Sequence, residues 1–140
     1  MTVTKVNQKD YGPGNVPTNA FCLASCYLCI ANFYKANKKM ENLITEKIVN
    51  SSGSVLKWGD YFTRGAIKSY NASDISGIKA AIDKSNPVII KGNSNSSTHY
   101  VVAYDYSGST IKVMDPWGGV TGNLGSTTLK SATDYYICTK

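Results

Sequence analysis

The texture of the chain changes at Pro87. Before it, apolar residues recur every three to four positions; after it, they fall in short β-branched and aromatic runs bounded by Gly, Ser and Asn. The first period is that of a helix burying one side and the second that of strands. Helices first and strands afterwards predict an α+β domain with an antiparallel sheet.

The helical half has one dominant element. Cys22, Cys26, Cys29 and Phe33 share one stripe, with Leu23, Tyr27, Ile30 and Tyr34 on the adjoining one, so most of the surface of a helix from about Ala20–Cys22 to Tyr34 is apolar. Such a helix belongs in the middle of a core. The lead-in, residues 1–21, carries Gly12, Pro13, Gly14 and Pro17, reads as extended and turning, and ends at Thr18 or Asn19, either of which is a helix-capping type. Met40–Val49 predicts a second helix, and Ser73 or Asp74 caps a third that carries Ile75, Ile78, Ala81 and Ile82. Ser51–Tyr70 has no clean period, part helix being one reading. The expected strands are Val88–Lys91, Thr98–Tyr104, Thr110–Met114 and Tyr135–Cys138, with Asn93–Ser97 as a polar loop.

With 140 residues, 42% hydrophobic and 17% charged, the chain has the size and balance of one folded domain spanning residues 1–140, and a monomer is expected. Its net charge of +6 comes almost wholly from lysine, Arg64 being the only arginine. Base readout leans on the bidentate guanidinium, so nucleic acid is a poor partner, whereas bacterial cell-wall polymers suit a scattered lysine surface. The amino terminus lacks the basic-then-apolar order of a signal peptide, and no window approaches eighteen apolar residues. Cytosolic synthesis, no integral membrane segment and action at the wall after release are the corresponding expectations.

Three of the four cysteines, Cys22, Cys26 and Cys29, fall on one predicted helix, where disulfide geometry is poor, so free thiols are expected. A thiol attacks as thiolate, and unpaired N–H groups at a helix start favour that anion. Cys22 stands at the start, Cys26 and Cys29 one and two turns inside. Cys22 is therefore the candidate nucleophile, and Cys26, Cys29 and Cys138 are expected as small apolar core residues.

His99, the only histidine, lies on a predicted strand, and Tyr106–Thr110 reads as a tight turn returning to the strand that ends near Asp115. Pairing of Asp105 with Ser109 would set His99 opposite Asp115; other turn lengths move that register by a residue or two. An acid holding one imidazole nitrogen while the other faces sulfur is what a Cys–His pair needs. The developing oxyanion needs donors as well: the Cys22 backbone N–H is one, and a side-chain amide from Gln8, or failing that Asn19, is the other.

Three stretches together resemble a known family: Gln8-Lys-Asp10; Cys22-Leu-Ala-Ser with Phe33-Tyr34 closing the same helix; and Pro87-Val-Ile-Ile, Thr98-His-Tyr-Val-Val and Ile111-Lys-Val-Met-Asp-Pro-Trp-Gly118. They are similar to papain-like cysteine peptidases, especially the compact bacterial branch of bacteriocin-leader-processing peptidases and phage or bacterial lysin domains. The resemblance implies a papain-like fold, with the nucleophile helix packed on a C-terminal antiparallel sheet. It assigns Cys22, His99 and Asp115 to a triad and Gln8 to the oxyanion hole, with Trp117 shielding the histidine. Phe21 and Leu23 depart from the Asp and Gly that usually flank the cysteine in leader-processing members.

Competing chemistries fit less well. Cys22, Cys26 and Cys29 spell C-x3-C-x2-C, similar to the cluster motif of radical S-adenosylmethionine enzymes, but on a helix and in a chain too small for that barrel. One histidine and no second close ligand pair disfavour zinc, and Gly118–Gly122 lacks the Lys-Ser/Thr of a phosphate loop. Glu41 and Glu46, the only glutamates, fall on one lysine-rich helix, which disfavours a muramidase. The sequence thus predicts a cofactor-free cysteine peptidase, most simply a lysin cutting peptidoglycan peptides. A protein- or leader-directed peptidase, an inactive binding module of the same fold and a cysteine acyltransferase are the alternatives.

Overall fold

The computed structural model describes residues 1–11, 18–95 and 97–140, with the side chains of Thr18 and Asn19 outside the described part. The Gly/Pro segment of the expected lead-in therefore lies outside it. A 3₁₀ turn at Thr18–Phe21 runs into helix α1, Cys22–Phe33. Helix α2 spans Met40–Thr45 and helix α3 Ser76–Asp83. The strands are β1 Thr63–Arg64, β2 Lys68–Ser69, β3 Val88–Ser94, β4 Ser97–Ser107, β5 Thr110–Asp115, β6 Val120–Asn123 and β7 Ser131–Thr139.

The strands form one antiparallel sheet in the order β1-β7-β3-β4-β5-β6, with β2 also paired to β7. The last strand therefore returns to the middle, between β1 and β3. Pleating sends alternate residues of β3 to opposite faces. Ile89 joins Val102, Met114 and Cys138 beneath Cys26, Cys29 and Ile30 of α1. Val88 and Ile90 join Val101 and Val113 beneath Ile78, Ala81 and Ile82 of α3. Each large aliphatic side chain buried this way contributes about 1.5–3 kcal/mol of transfer free energy. The α+β class, and the packing of α1 on the antiparallel sheet, agree with expectation.

Several local expectations are corrected. Phe21, with no side-chain cap, occupies the N-cap of α1, because the preceding 3₁₀ turn carries Thr18 and Asn19 past that position. Helix α2 stops at Thr45, since Lys47 adopts φ 59° and Ile48 folds back into the core. Asp74 does serve α3: its Oδ1 accepts from the Ser76 N–H at 3.1 Å and from the Ser76 hydroxyl at 2.6 Å. Residues 51–70 hold no helix among them; they form turns and the two-residue strands β1 and β2. The strands reach into the expected polar loop, with Asn93 and Ser94 in β3 and Ser97 in β4.

The β4–β5 register also differs from the predicted one. Gly108 and Ser109 alone make the turn, Gly108 at φ 61°, so Ser107 faces Thr110 and Asp105 faces Lys112. A bulge between Ala103 and Asp105 then shifts the ladder by one, and Val102 faces Met114. One further step sets Asp115 level with Val101, so His99 is its diagonal neighbour rather than its direct opposite, still within reach of an imidazole.

Candidate active site

Cys22 is the first residue of α1 and is 6% exposed, a buried position from which its thiol interacts with the His99 imidazole. His99 sits on β4 opposite Gly92 of β3. A Cβ at Gly92 would lie 2.0 Å from the Ser131 carbonyl oxygen, so only glycine lets β7 close on β3 beside the histidine.

His99 Nε2 lies 2.8 Å from Asp115 Oδ1, and both residues are buried, 5% and 2% exposed. A carboxylate only accepts, so Nε2 carries the proton of this bond and Nδ1 is left to the sulfur. Three further donors hold the carboxylate: the Trp117 N–H reaches Oδ1 at 2.9 Å, and the Thr128 N–H and hydroxyl reach Oδ2 at 3.0 and 2.9 Å. Both oxygens are engaged, which fixes the plane of the carboxyl and with it the imidazole.

The titration of the pair follows from these contacts. Burial opposes the imidazolium, but the Asp115 hydrogen bond and the interaction with Cys22 outweigh it and raise His99 to about 9. Burial likewise opposes the Asp115 carboxylate, and its bonds to His99, Thr128 and Trp117 override that and hold it below the usual range. Burial pushes Cys29 and Cys138 up to about 12, and Cys26 well above an ordinary thiol.

The lead-in is tied to the loop that follows Asp115. Gln8, buried at 1% exposure in the 3₁₀ turn Gln8–Asp10, donates its backbone N–H to the Pro116 carbonyl at 2.8 Å. Asn7 Oδ1 caps that turn through the Lys9 N–H at 3.0 Å and also accepts from the Gly118 N–H at 3.2 Å. Gly118 and Gly119 take φ 100° and 63°, and a Cβ at Gly119 would lie 3.1 Å from Asn7. The glycine pair thus lets the loop turn tightly enough to bring residue 8 beside residue 116.

Gln8, Thr98, His99, Trp117, Thr128 and Lys130 surround a cavity of about 440 Å³. Trp117 stands at its mouth, 37% exposed, with Lys9 Nζ 4.4 Å from the ring centroid. Of the residues predicted for the site, the fold brings together Cys22, His99, Asp115 and Gln8. The Asn19 side chain lies outside the described residues. Thr128, Asn7 and the Trp117 backbone were not predicted. Thr128 stands in a polar run whose spacing carries no signal, and the Asn7 and Trp117 contacts form only when the lead-in and the β5–β6 loop meet. Among the described residues, no three His, Cys, Asp or Glu side chains converge as a metal-binding group, and no helix is long and apolar enough to cross a membrane.

The architecture, a cysteine-bearing helix laid across an antiparallel sheet, is that of the papain-like cysteine peptidases. The model of the Peptidase C39 family matches residues 18–132, most of the chain, and the protein belongs to that family of cysteine peptidases. No curated protein matches the sequence.

Proposed function

We propose that Cys22, His99 and Asp115 form the catalytic triad of this peptidase, with Gln8 in the oxyanion hole. The observation that carries the reading is the buried His99–Asp115 pair at 2.8 Å, beside the Cys22 thiol with which His99 interacts at the start of α1. Cys22 Sγ attacks the amide carbonyl carbon, and the oxygen takes the electron pair, held by the Cys22 backbone N–H and the Gln8 side-chain amide. As the C–N bond breaks, His99 gives its Nδ1 proton to the leaving amine, and a thioester remains on Cys22. His99, now neutral at Nδ1, takes a proton from water; the hydroxide equivalent displaces the sulfur, and acid product and free thiol are restored. Asp115 stays ionised throughout and orients the ring.

For substrate, we propose the peptides of peptidoglycan. A charge of +6 spread over lysines draws the protein to anionic wall polymers, and the chain acts there as a monomeric single domain after cytosolic synthesis. Wild type and Cys22→Ala are incubated with purified cell walls and with casein, following turbidity and released amines. Wall peptides cut by wild type alone support both parts; equal activity in the two proteins overturns the nucleophile, and cleavage of casein alone overturns the wall substrate.

A further inference from the structure

A second cavity, larger than the one beside His99, takes no part in the triad. It has a volume of about 970 Å³, at the upper end of ordinary ligand sites. It opens on the α3 side of the sheet, between the Tyr70–Ala72 segment after β2 and the turn Leu124–Ser126 after β6. Its floor is apolar, with Ile111 and Leu129 buried there. Its rim is neutral and polar, carrying Ser69, Asn71, Ser109, Thr110, Asn123 and Ser126. Lys130 is the one charged residue among those lining it.

That composition selects a ligand class. Hydroxyls and carboxamides donate and accept together, as a polyol requires, and an apolar floor with Tyr70 at its edge suits the C–H face of a sugar ring or an acetamido methyl. A phosphate-rich polymer would ask for several cations, and one is present. An extended peptide would need a strand edge long enough to pair along the cavity, whereas the edge strands that reach it, β2 and β6, are two and four residues long and each contributes one lining residue, Ser69 and Asn123.

The cavity also adjoins the one beside the triad. Lys130 lines both cavities. Along the segment leading to β7, Thr128 bonds Asp115 Oδ2, Leu129 sits in the floor of the larger cavity, and Lys130 stands between the two. A ligand spanning both would place one end beside His99 and the other among the neutral hydroxyls.

We infer that the larger cavity is a glycan subsite, taking neutral N-acetylated sugars while the attached peptide lies at Cys22 and His99. The inference rests on the proposed peptidoglycan substrate for its purpose, but its test does not depend on cleavage. The probe is a β-1,4-linked N-acetylglucosamine tetramer, titrated by calorimetry and by NMR shifts into wild type, Asn71→Ala/Asn123→Ala, and Ser126→Trp, which fills the cavity without touching the triad. The tetramer should bind wild type, perturb signals around Asn71 and Asn123, and bind the double variant about tenfold more weakly, two lost hydrogen bonds' worth. Hydrolysis of a sugar-free wall peptide should be unchanged in both variants while that of intact walls falls. No binding to wild type, or equal binding to all three proteins, overturns the subsite. So does a sugar-free peptide whose binding the same variants weaken, which would make the occupant a peptide. Sugar binding that the variants weaken, in a protein that cuts no wall peptide, would uphold the subsite and overturn the substrate.

Discussion

Asp115→Asn separates the charge of the carboxylate from its shape. The amide is nearly isosteric, so the Thr128 and Trp117 contacts can persist in part, while the negative charge beside His99 is lost. His99 is raised from 6.5 to about 9 against the opposing effect of burial, by Asp115 first and Cys22 second. A shift of that size corresponds to about 3 kcal/mol of preference for the imidazolium. Removing the larger contributor should lower the midpoint by roughly one to two units, since a close opposite charge is worth that much. As the chain has one histidine, its imidazole C–H proton signal can be followed in an NMR pH titration without assignment. The wild-type midpoint should lie near 9, that of Asp115→Asn well below it, and turnover should fall on the order of 10²–10⁴ as the ring loses its tautomer and orientation. A variant whose histidine titrates with the wild-type midpoint would refute the reasoning. His99, raised in the fold, contributes fully below its ordinary 6.5 and loses that contribution as pH rises through about 9. Asp115, lowered, contributes above its ordinary 3.8 and loses it as pH falls through its depressed value. The melting-temperature gap between wild type and variant should therefore be widest between about 3.8 and 6.5 and narrow as pH rises through about 9, where only the Thr128 and Trp117 bonds to the carboxylate remain.

Thr128→Val removes the hydroxyl from Asp115 Oδ2 but keeps the backbone donor. Loss of one hydrogen bond to a charged group, about 1.5–3 kcal/mol, should lower kcat about tenfold or more and the His99 midpoint with it, with KM little changed; an unaltered midpoint would make Thr128 a packing residue only. Iodoacetamide near neutral pH should label Cys22 first, because burial holds Cys26, Cys29 and Cys138 protonated and covered; mass mapping that finds Cys26 or Cys29 modified first would contradict this. Gly119→Ala puts a Cβ at φ 63° against Asn7. It should cost about 1–2 kcal/mol in denaturant unfolding and lower activity by displacing Gln8, and a variant with full stability and activity would show the close approach to be dispensable.

Much of this was legible in the residues. The turnover of period at Pro87 and the apolar stripes of Cys22–Phe33 announced the helix and the sheet, because burial on one side leaves a period in sequence. The nearness of His99 to Asp115 was legible from the turn between their strands. Their register was not, because a two-residue turn and the bulge after Ala103 moved it by amounts that hydrophobic pattern does not encode. Strands β1, β2 and β6 left no trace, being short and wholly exposed. Their pairing with β7 and β5 is a gift of tertiary structure. The Thr128 contact on Asp115 spans thirteen residues with no periodic signal, and the meeting of Asn7 with Gly118 spans 111.

The central claim is that Cys22 carries the acyl group. Wild type mixed with p-nitrophenyl acetate and quenched in acid should show one acetyl added by intact mass, released with a burst of nitrophenol and mapped to Cys22, with none on Cys22→Ala. An acetyl on another cysteine, or an equal burst from Cys22→Ala, would contradict the account.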